Sequence, residues 1–168
     1  VHITAKVDYA VRTLVEIAGA PPSRGGATAP TVKADAIACA QAIPPKVLET
    51  VLAELRRAEL VVSRRGPDGG YWLARPAERI SIADVIRAVE GPLASVRGQR
   101  PEDVNYPGSA APLRAVWIAL RVNIRAVLEN VTIADIAGGG LPEFIAELTA
   151  DPGAWERRES DPNIPVTS

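Results

Sequence analysis

Cysteine is nearly absent from this 168-residue chain, where Cys39 stands alone. One thiol excludes an intramolecular disulfide and any all-cysteine metal site built within one chain. Histidine is as scarce, with His2 the single example. The chain shows no acid–base pair with a supporting imidazole, no phosphate-cradling glycine loop, no dinucleotide fingerprint and no zinc-ligand spacing. The expectation is a protein that is not an enzyme and carries no metal and no cofactor. No uninterrupted apolar run is long enough to span a bilayer. The N-terminus has His2, Lys6 and Asp8 in its first turns and lacks the apolar stretch of a signal peptide. No membrane partner is expected, and the cytoplasm is the expected location. No repeat of domain size is found.

What is present is enough to fold. Apolar residues make up 47% of the chain and charged residues 23%, ordinary values for a globular protein. The net charge of −1 hides an uneven distribution. Residues 1–79 carry 11 Lys and Arg against 8 Asp and Glu, while residues 80–168 carry 8 against 12. Arg56, Arg57, Arg64, Arg65, Arg75 and Arg79 fall close together in the first part. A local basic stripe governs attraction to a polyanion more than the total charge does.

Ile3, Val7, Ala10, Val11, Leu14 and Ile17 recur at three- and four-residue steps, so a helix over 4–18 capped by Thr4 is expected. Pro21 and Pro22 stop it, and 23–30 reads as a loop. A short helix over 32–40, a turn, and a second helix from Pro45 follow. Val47, Leu48, Val51, Leu52 and Leu55 form the expected buried stripe of the second. Two short helices joined by a tight turn have the layout of a helix-turn-helix. The β-prone runs 60–64 and 71–73 flank the turn residues Gly66, Pro67, Asp68, Gly69 and Gly70, which together read as a hairpin. A helix-turn-helix followed by a hairpin with arginines beside its turn is a winged helix.

Ser81 and Asp84 form a capping-box pattern ahead of another helix, ended by Gly91-Pro92. Residues 93–111 read as a loop. The longest helix is expected from Pro112 to about residue 130. Leu113, Val116, Trp117, Leu120, Ile124, Val127 and Leu128 make one stripe, and Ile118 and Val122 add apolar surface on a second side. A helix with two apolar faces must bury both. The simplest cover for the second is another copy of the chain in a two-fold dimer. Thr132 to Ile136 repeat the capping solution. One more amphipathic turn or two is expected in 141–148, and the tail from 150 is expected to be mobile. The fold class is thus mainly α with a small β-hairpin wing. The expected division is a winged helix-turn-helix over 1–92, a sensor-type loop over 93–111, a dimerisation helix with its successor over 112–138, and a variable tail over 139–168.

The pattern resembles the Rrf2 family of bacterial transcription regulators. Ile3-Thr4-Ala5-Lys6-Val7-Asp8-Tyr9-Ala10-Val11 is similar to that family's first helix, and Ile43-Pro44-Pro45-Lys46-Val47-Leu48-Glu49 to the start of its recognition helix. Residues 60–75 resemble its wing, 80–92 with Val89-Glu90-Gly91-Pro92 the next helix, and 113–136 its dimerisation helix and successor. The likeness covers 2–138. Two departures stand out. Val47 replaces a frequent aromatic residue. The stretch 93–111, where some members hold an iron–sulfur cluster by three cysteines, has none, so a cluster of that kind is not expected. Cys39 reads as a small core residue, with a thiol redox switch as the alternative.

The resemblance implies a homodimer bound to double-stranded DNA at a pseudo-palindromic operator, acting as a repressor, with an unidentified small molecule or protein as effector. The expected DNA-contacting set is Thr4, Pro44, Pro45, Lys46, Glu49, Thr50, Arg64, Arg65, Gly66, Gly69, Gly70 and Tyr71. The expected dimerisation set is Leu113, Val116, Trp117, Leu120, Ile124 and Val127. Lys46 at a helix start suits a phosphate. Glu49 reads either as an acceptor for cytosine N4 or as a surface carboxylate paired with a basic neighbour. An arginine at the wing tip can enter a narrow minor groove. Gly66, Gly69 and Gly70 supply positive φ and close approach in the turn. Tyr71 and Trp72 read as hairpin anchors, with base stacking as the alternative. A winged helix used only for protein contacts is the competing function.

Overall fold

The computed structural model describes residues 2–20 and 30–156. Helix α1 (Ala5–Ala18) begins where Thr4 Oγ1 accepts from the Val7 amide at 3.2 Å. Val7, Ala10, Leu14 and Ile17 line its buried face. Ile3 lies ahead of the cap and is exposed, so it does not extend that stripe. The loop expected over 23–30 lies outside the described residues, apart from Pro30.

Helix α2 (Ala34–Gln41) starts later than the apolar spacing suggests. Val32 is extended instead: its amide donates to Tyr71 O (2.9 Å), and the Tyr71 amide donates back (2.8 Å). A β-branched residue beside an open strand gains this pairing, and Lys33 then becomes the N-cap. Ala42 closes α2 in the left-handed region (φ 50°), letting the Ile43 amide reach Ala38 O at 3.0 Å. This tight reversal delivers the chain to helix α3 (Pro45–Arg57), which has proline at its first position.

Leu48, Val51, Leu52 and Leu55 of α3 are buried, each contributing about 1.5–3 kcal/mol by leaving water. Val47 is not among them. It sits in the first turn at the edge of that stripe and faces solvent, which corrects the sequence expectation. Cys39 is likewise exposed on α2 and is not a core residue.

Strands β1 (Val61–Arg64) and β2 (Gly70–Leu73) pair antiparallel with Val61 opposite Leu73 and Arg64 opposite Gly70. A short 3-10 turn (Ala77–Arg79) leads to helix α4 (Ile82–Val89). Its capping box is complete: the Asp84 amide donates to Ser81 Oγ and the Ser81 amide to Asp84 Oδ2, both at 3.1 Å. Helix α5 (Leu113–Leu128) is followed by α6 (Ile133–Gly138), whose own box uses Thr132 and Asp135. The two boxes sit side by side, because the Ile82 amide donates to Val131 O and the Ile133 amide to Ile80 O, both at 2.9 Å. That join returns α6 to the winged helix, where it packs on α1 and buries Ile133 completely. Helix α7 (Glu143–Leu148) and a 3-10 turn (Pro152–Ala154) complete the described chain. Residues 150–156 thus have local order, with the Trp155 indole donating to Thr149 O at 2.8 Å. The rest of the expected mobile tail, 157–168, lies outside the described residues.

The single core belongs to α1, α2, α3, α4, the wing and α6. Helix α5 differs. None of its 16 residues is buried, and Val116, Leu120 and Val122 are 54%, 40% and 56% exposed.

Candidate nucleic-acid interface

The N-cap and first two turns of α3 present Pro44, Pro45, Lys46, Val47, Glu49 and Thr50 to solvent. No side chain caps this helix start. The Val47 and Leu48 amides both donate to Pro44 O at 3.0 Å. The Lys46 amide and ammonium therefore stand at the positive end of the helix dipole, an arrangement that favours an anion. Among the described residues, neither Lys46 nor Glu49 has an opposite charge within 4 Å. Glu49 is thus not held in the neighbouring ion pair that one reading gave it. Thr50 Oγ1 donates to Lys46 O at 3.3 Å and lies on the exposed side.

The wing is shaped by its glycines. Gly66 (φ 107°) and Gly70 (φ 153°) adopt backbone that side chains disfavour. Gly69 is buried, and a Cβ there would lie 2.3 Å from Arg64 O. At Gly70 a Cβ would lie 2.8 Å from Val32 O. The Gly69 amide donates to Gly66 O at 2.9 Å, closing the turn. Arg64 folds back, its Nη2 donating to Asp68 O at 3.1 Å. Arg65, one residue nearer the tip, is exposed and among the described residues has no carboxylate within 4 Å. Tyr71 is half-buried against the core and pairs with Val32, as an anchor would. Arg56 of α3 donates to Ser63 Oγ of β1 at 3.3 Å, tying helix to wing.

Thr4 is placed differently from the rest of the expected set. Its hydroxyl donates to Glu90 Oε1 at 2.8 Å while accepting from the Val7 amide, so it is engaged within the protein. Sequence reasoning did not find two further features that hold the helix-turn-helix. Arg12 of α1 donates to both the side chain and the backbone carbonyl of Gln41, and Gln41 Nε2 donates to Glu16 at 2.8 Å. Lys6 lies 3.4 Å from Glu54 and 3.8 Å from Glu90. No local spacing signals such pairs, because their members lie on different helices.

The segment 93–111 folds on itself and against α5. Val96 and Gln99 exchange backbone hydrogen bonds (2.9 and 3.0 Å) around Arg97 and Gly98, both with positive φ. Pro101 and Val104 are buried, Glu102 pairs with Arg121 of α5, and the Trp117 indole donates to Tyr106 Oη at 2.9 Å. The Glu102 carboxyl is held below its ordinary range by a backbone amide first and by Arg121 second. A cleft of about 490 Å³ lies between this segment and α5, lined by Leu93, Val96, Arg97, Trp117, Leu120 and Ile124 among others.

A recognition-type helix with a basic start, followed by a glycine-shaped hairpin with an exposed arginine near its tip, has the architecture of a winged helix-turn-helix. The comparisons with known proteins give the particular family. The model of the Rrf2 family, described as iron-dependent transcriptional regulators, matches residues 3–139, and the chain belongs to that family. It is 49% identical over 155 residues to Rv1287 of Mycobacterium tuberculosis H37Rv, named for an HTH-type transcriptional regulator, with 92% of each chain covered. It is 30% identical over 167 residues to the HTH-type transcriptional regulator IscR of Sodalis glossinidius, covering 99% of this chain and 92% of that one. Among solved structures it is similar to CymR, the global cysteine regulator of Bacillus subtilis, with TM-score 0.66, 30% identity, and 82% and 97% of the two chains covered.

The iron in the family description does not fit the residues of this chain. Segment 93–111 offers no thiolate, Glu102 is committed to Arg121, and the single thiol is on α2. Among the described residues, no group of three or more His, Cys, Asp or Glu could hold a metal ion. Nor is any single helix among them long and apolar enough to cross a membrane.

Proposed function

We propose that the chain is a homodimeric repressor that reads a pseudo-palindromic operator in double-stranded DNA in the cytoplasm. The observation that carries this reading is α5: a 16-residue amphipathic helix with no buried residue, attached to a winged helix whose own core is complete. Its stripe Leu113, Val116, Trp117, Leu120, Ile124 and Val127 is the dimerisation surface, and a two-fold axis through it presents two recognition helices to successive major grooves. Residues 1–92 form the DNA-reading part, 93–111 the sensing segment, 112–138 the dimerisation part, and 139–168 the variable tail.

Lys46 contacts a phosphate, with Pro44 and Pro45 setting the approach of the backbone. Glu49 and Thr50 face base edges, and Arg65, flanked by Arg64 and the tight turn of Gly66, Gly69 and Gly70, enters the minor groove. Thr4 and Tyr71 support this surface from behind. The effector engages the cleft between 92–101 and α5, whose Trp117, Leu120 and Ile124 also belong to the dimerisation stripe, so the two sites adjoin. The walls of the cleft are mostly apolar and Arg97 is the one charged side chain lining it, which suits a small organic molecule.

The test is binding to the duplexes enriched in a genome-wide map of bound sites. Arg65→Ala should weaken operator binding by about 1–3 kcal/mol, whereas Lys46→Ala should weaken all duplexes alike and lower the salt slope by about one. An Arg65→Ala protein that is folded and binds the operator as wild type does would overturn the wing readout.

A further inference from the structure

Lys6 is oddly placed for its own helix. It is the second residue of α1, in the first turn, where the amide dipoles favour negative charge. A cation there is unfavourable unless carboxylates face it, and two do, from different elements. Glu54 of α3 lies 3.4 Å away and Glu90, the C-cap of α4, lies 3.8 Å away. Glu54 Oε2 is buried and has no hydrogen-bond partner among the described residues, so the Lys6 ammonium is the group that compensates its charge. Thr4 Oγ1 donates at 2.8 Å to Glu90 Oε1, the same oxygen that Lys6 faces.

We propose that Lys6 is a positioning residue for the recognition helix, its ammonium tying Glu54 of α3 to Glu90 at the end of α4. This rests on the DNA-binding reading above. Glu90 immediately precedes Gly91 (φ 94°), where the chain turns into segment 93–111. The ammonium gives that segment a polar link to α3 beside the direct packing of α4 on α3. The Lys6 and Glu90 side chains are each 35% exposed, so that arm of the clamp adds little to stability. Its effect lies in the angle at which α3 is held, and major-groove readout tolerates little change in that angle.

The experiment measures affinity for two duplexes, the one most enriched in a genome-wide binding map and a shuffled sequence of the same composition. Lys6→Met keeps the apolar stem and removes the charge. It should bind the enriched duplex about tenfold more weakly, with the shuffled duplex within about twofold and the salt slope unchanged; Lys6→Arg should restore binding to within about threefold. Equal losses on both duplexes with a lower salt slope would make Lys6 a phosphate contact and overturn the clamp. So would a Lys6→Met protein that matches wild type on the enriched duplex. If Lys6→Met fails to fold, Glu90→Gln carries the test: a loss of about threefold on the enriched duplex alone supports the clamp, and unchanged binding overturns it. A wild-type protein that prefers no duplex would instead overturn the DNA-binding reading, and the clamp with it.

Discussion

Helices α3 and α5 carry similar apolar stripes over 13 and 16 residues, yet α3 buries four residues inside the chain and α5 buries none. Periodicity is common to both; the location of the complementary surface is not. The stripe of α3 meets α1, α2 and α4, which the same chain supplies. The stripe of α5 meets segment 93–111 on one side and Leu128 at its end packs on the core, while Val116, Leu120 and Val122 are exposed. One region therefore completes a domain, and the other leaves exposed the apolar surface on which the proposed dimer rests.

The comparison breaks most visibly where one side chain is removed from each region. Leu52→Ala, in the closed core, should cost about 2–5 kcal/mol in denaturant unfolding. The same experiment on Leu120 should show a stability that depends on protein concentration, as the proposed dimer requires. Leu120→Glu should leave the helical content intact and convert the protein to monomers in sedimentation, with operator affinity falling about 100-fold as the two half-sites cease to be bound together. A variant that stays dimeric would mean that α5 is an ordinary solvent-facing helix.

Smaller effects sharpen the contrast within the winged helix. Gly69→Ala places a Cβ against the backbone of Arg64 and Arg65, so the wing must open. A loss of about 1–3 kcal/mol in stability is expected, with weaker operator binding and an unchanged dimer mass. The smallest effect concerns the box that joins α6 to the core. The Asp135 carboxyl is held below its ordinary range by the Thr132 amide first and the Thr132 hydroxyl second. A carboxylate lowered by folding stabilises above its unfolded pKa, and that stabilisation is lost as pH falls through the folded value. Asp135→Asn should therefore be less stable than wild type at neutral pH, with the difference fading below about pH 4. A difference that stays constant down to pH 2 would assign the effect to packing.

Much of this was legible in the sequence because it is written in local chemistry. Thr4, Ser81 and Thr132 announced their caps, since a cap needs only a hydroxyl and a spacing of three. The Gly66 to Gly70 turn announced the wing. What the sequence left open depended on distant partners. Val32 joined a strand because Tyr71 was there to pair with it. Val47 and Cys39 turned outward because burial depends on which neighbour covers a helix face, and spacing alone does not carry that. Segment 93–111 read as a loop, and its path is set by Glu102 and Tyr106 meeting Arg121 and Trp117 of α5. The ties of Lys6 to Glu54 and of Arg12 to Gln41 join separate helices and leave no pattern in the order of residues.

Everything proposed for operator reading depends on α5 meeting its own copy. Light scattering of the purified protein at micromolar concentration measures that directly. The expected mass is about twice the 17.7 kDa of one chain. A particle of 17.7 kDa that binds its operator tightly would contradict the account.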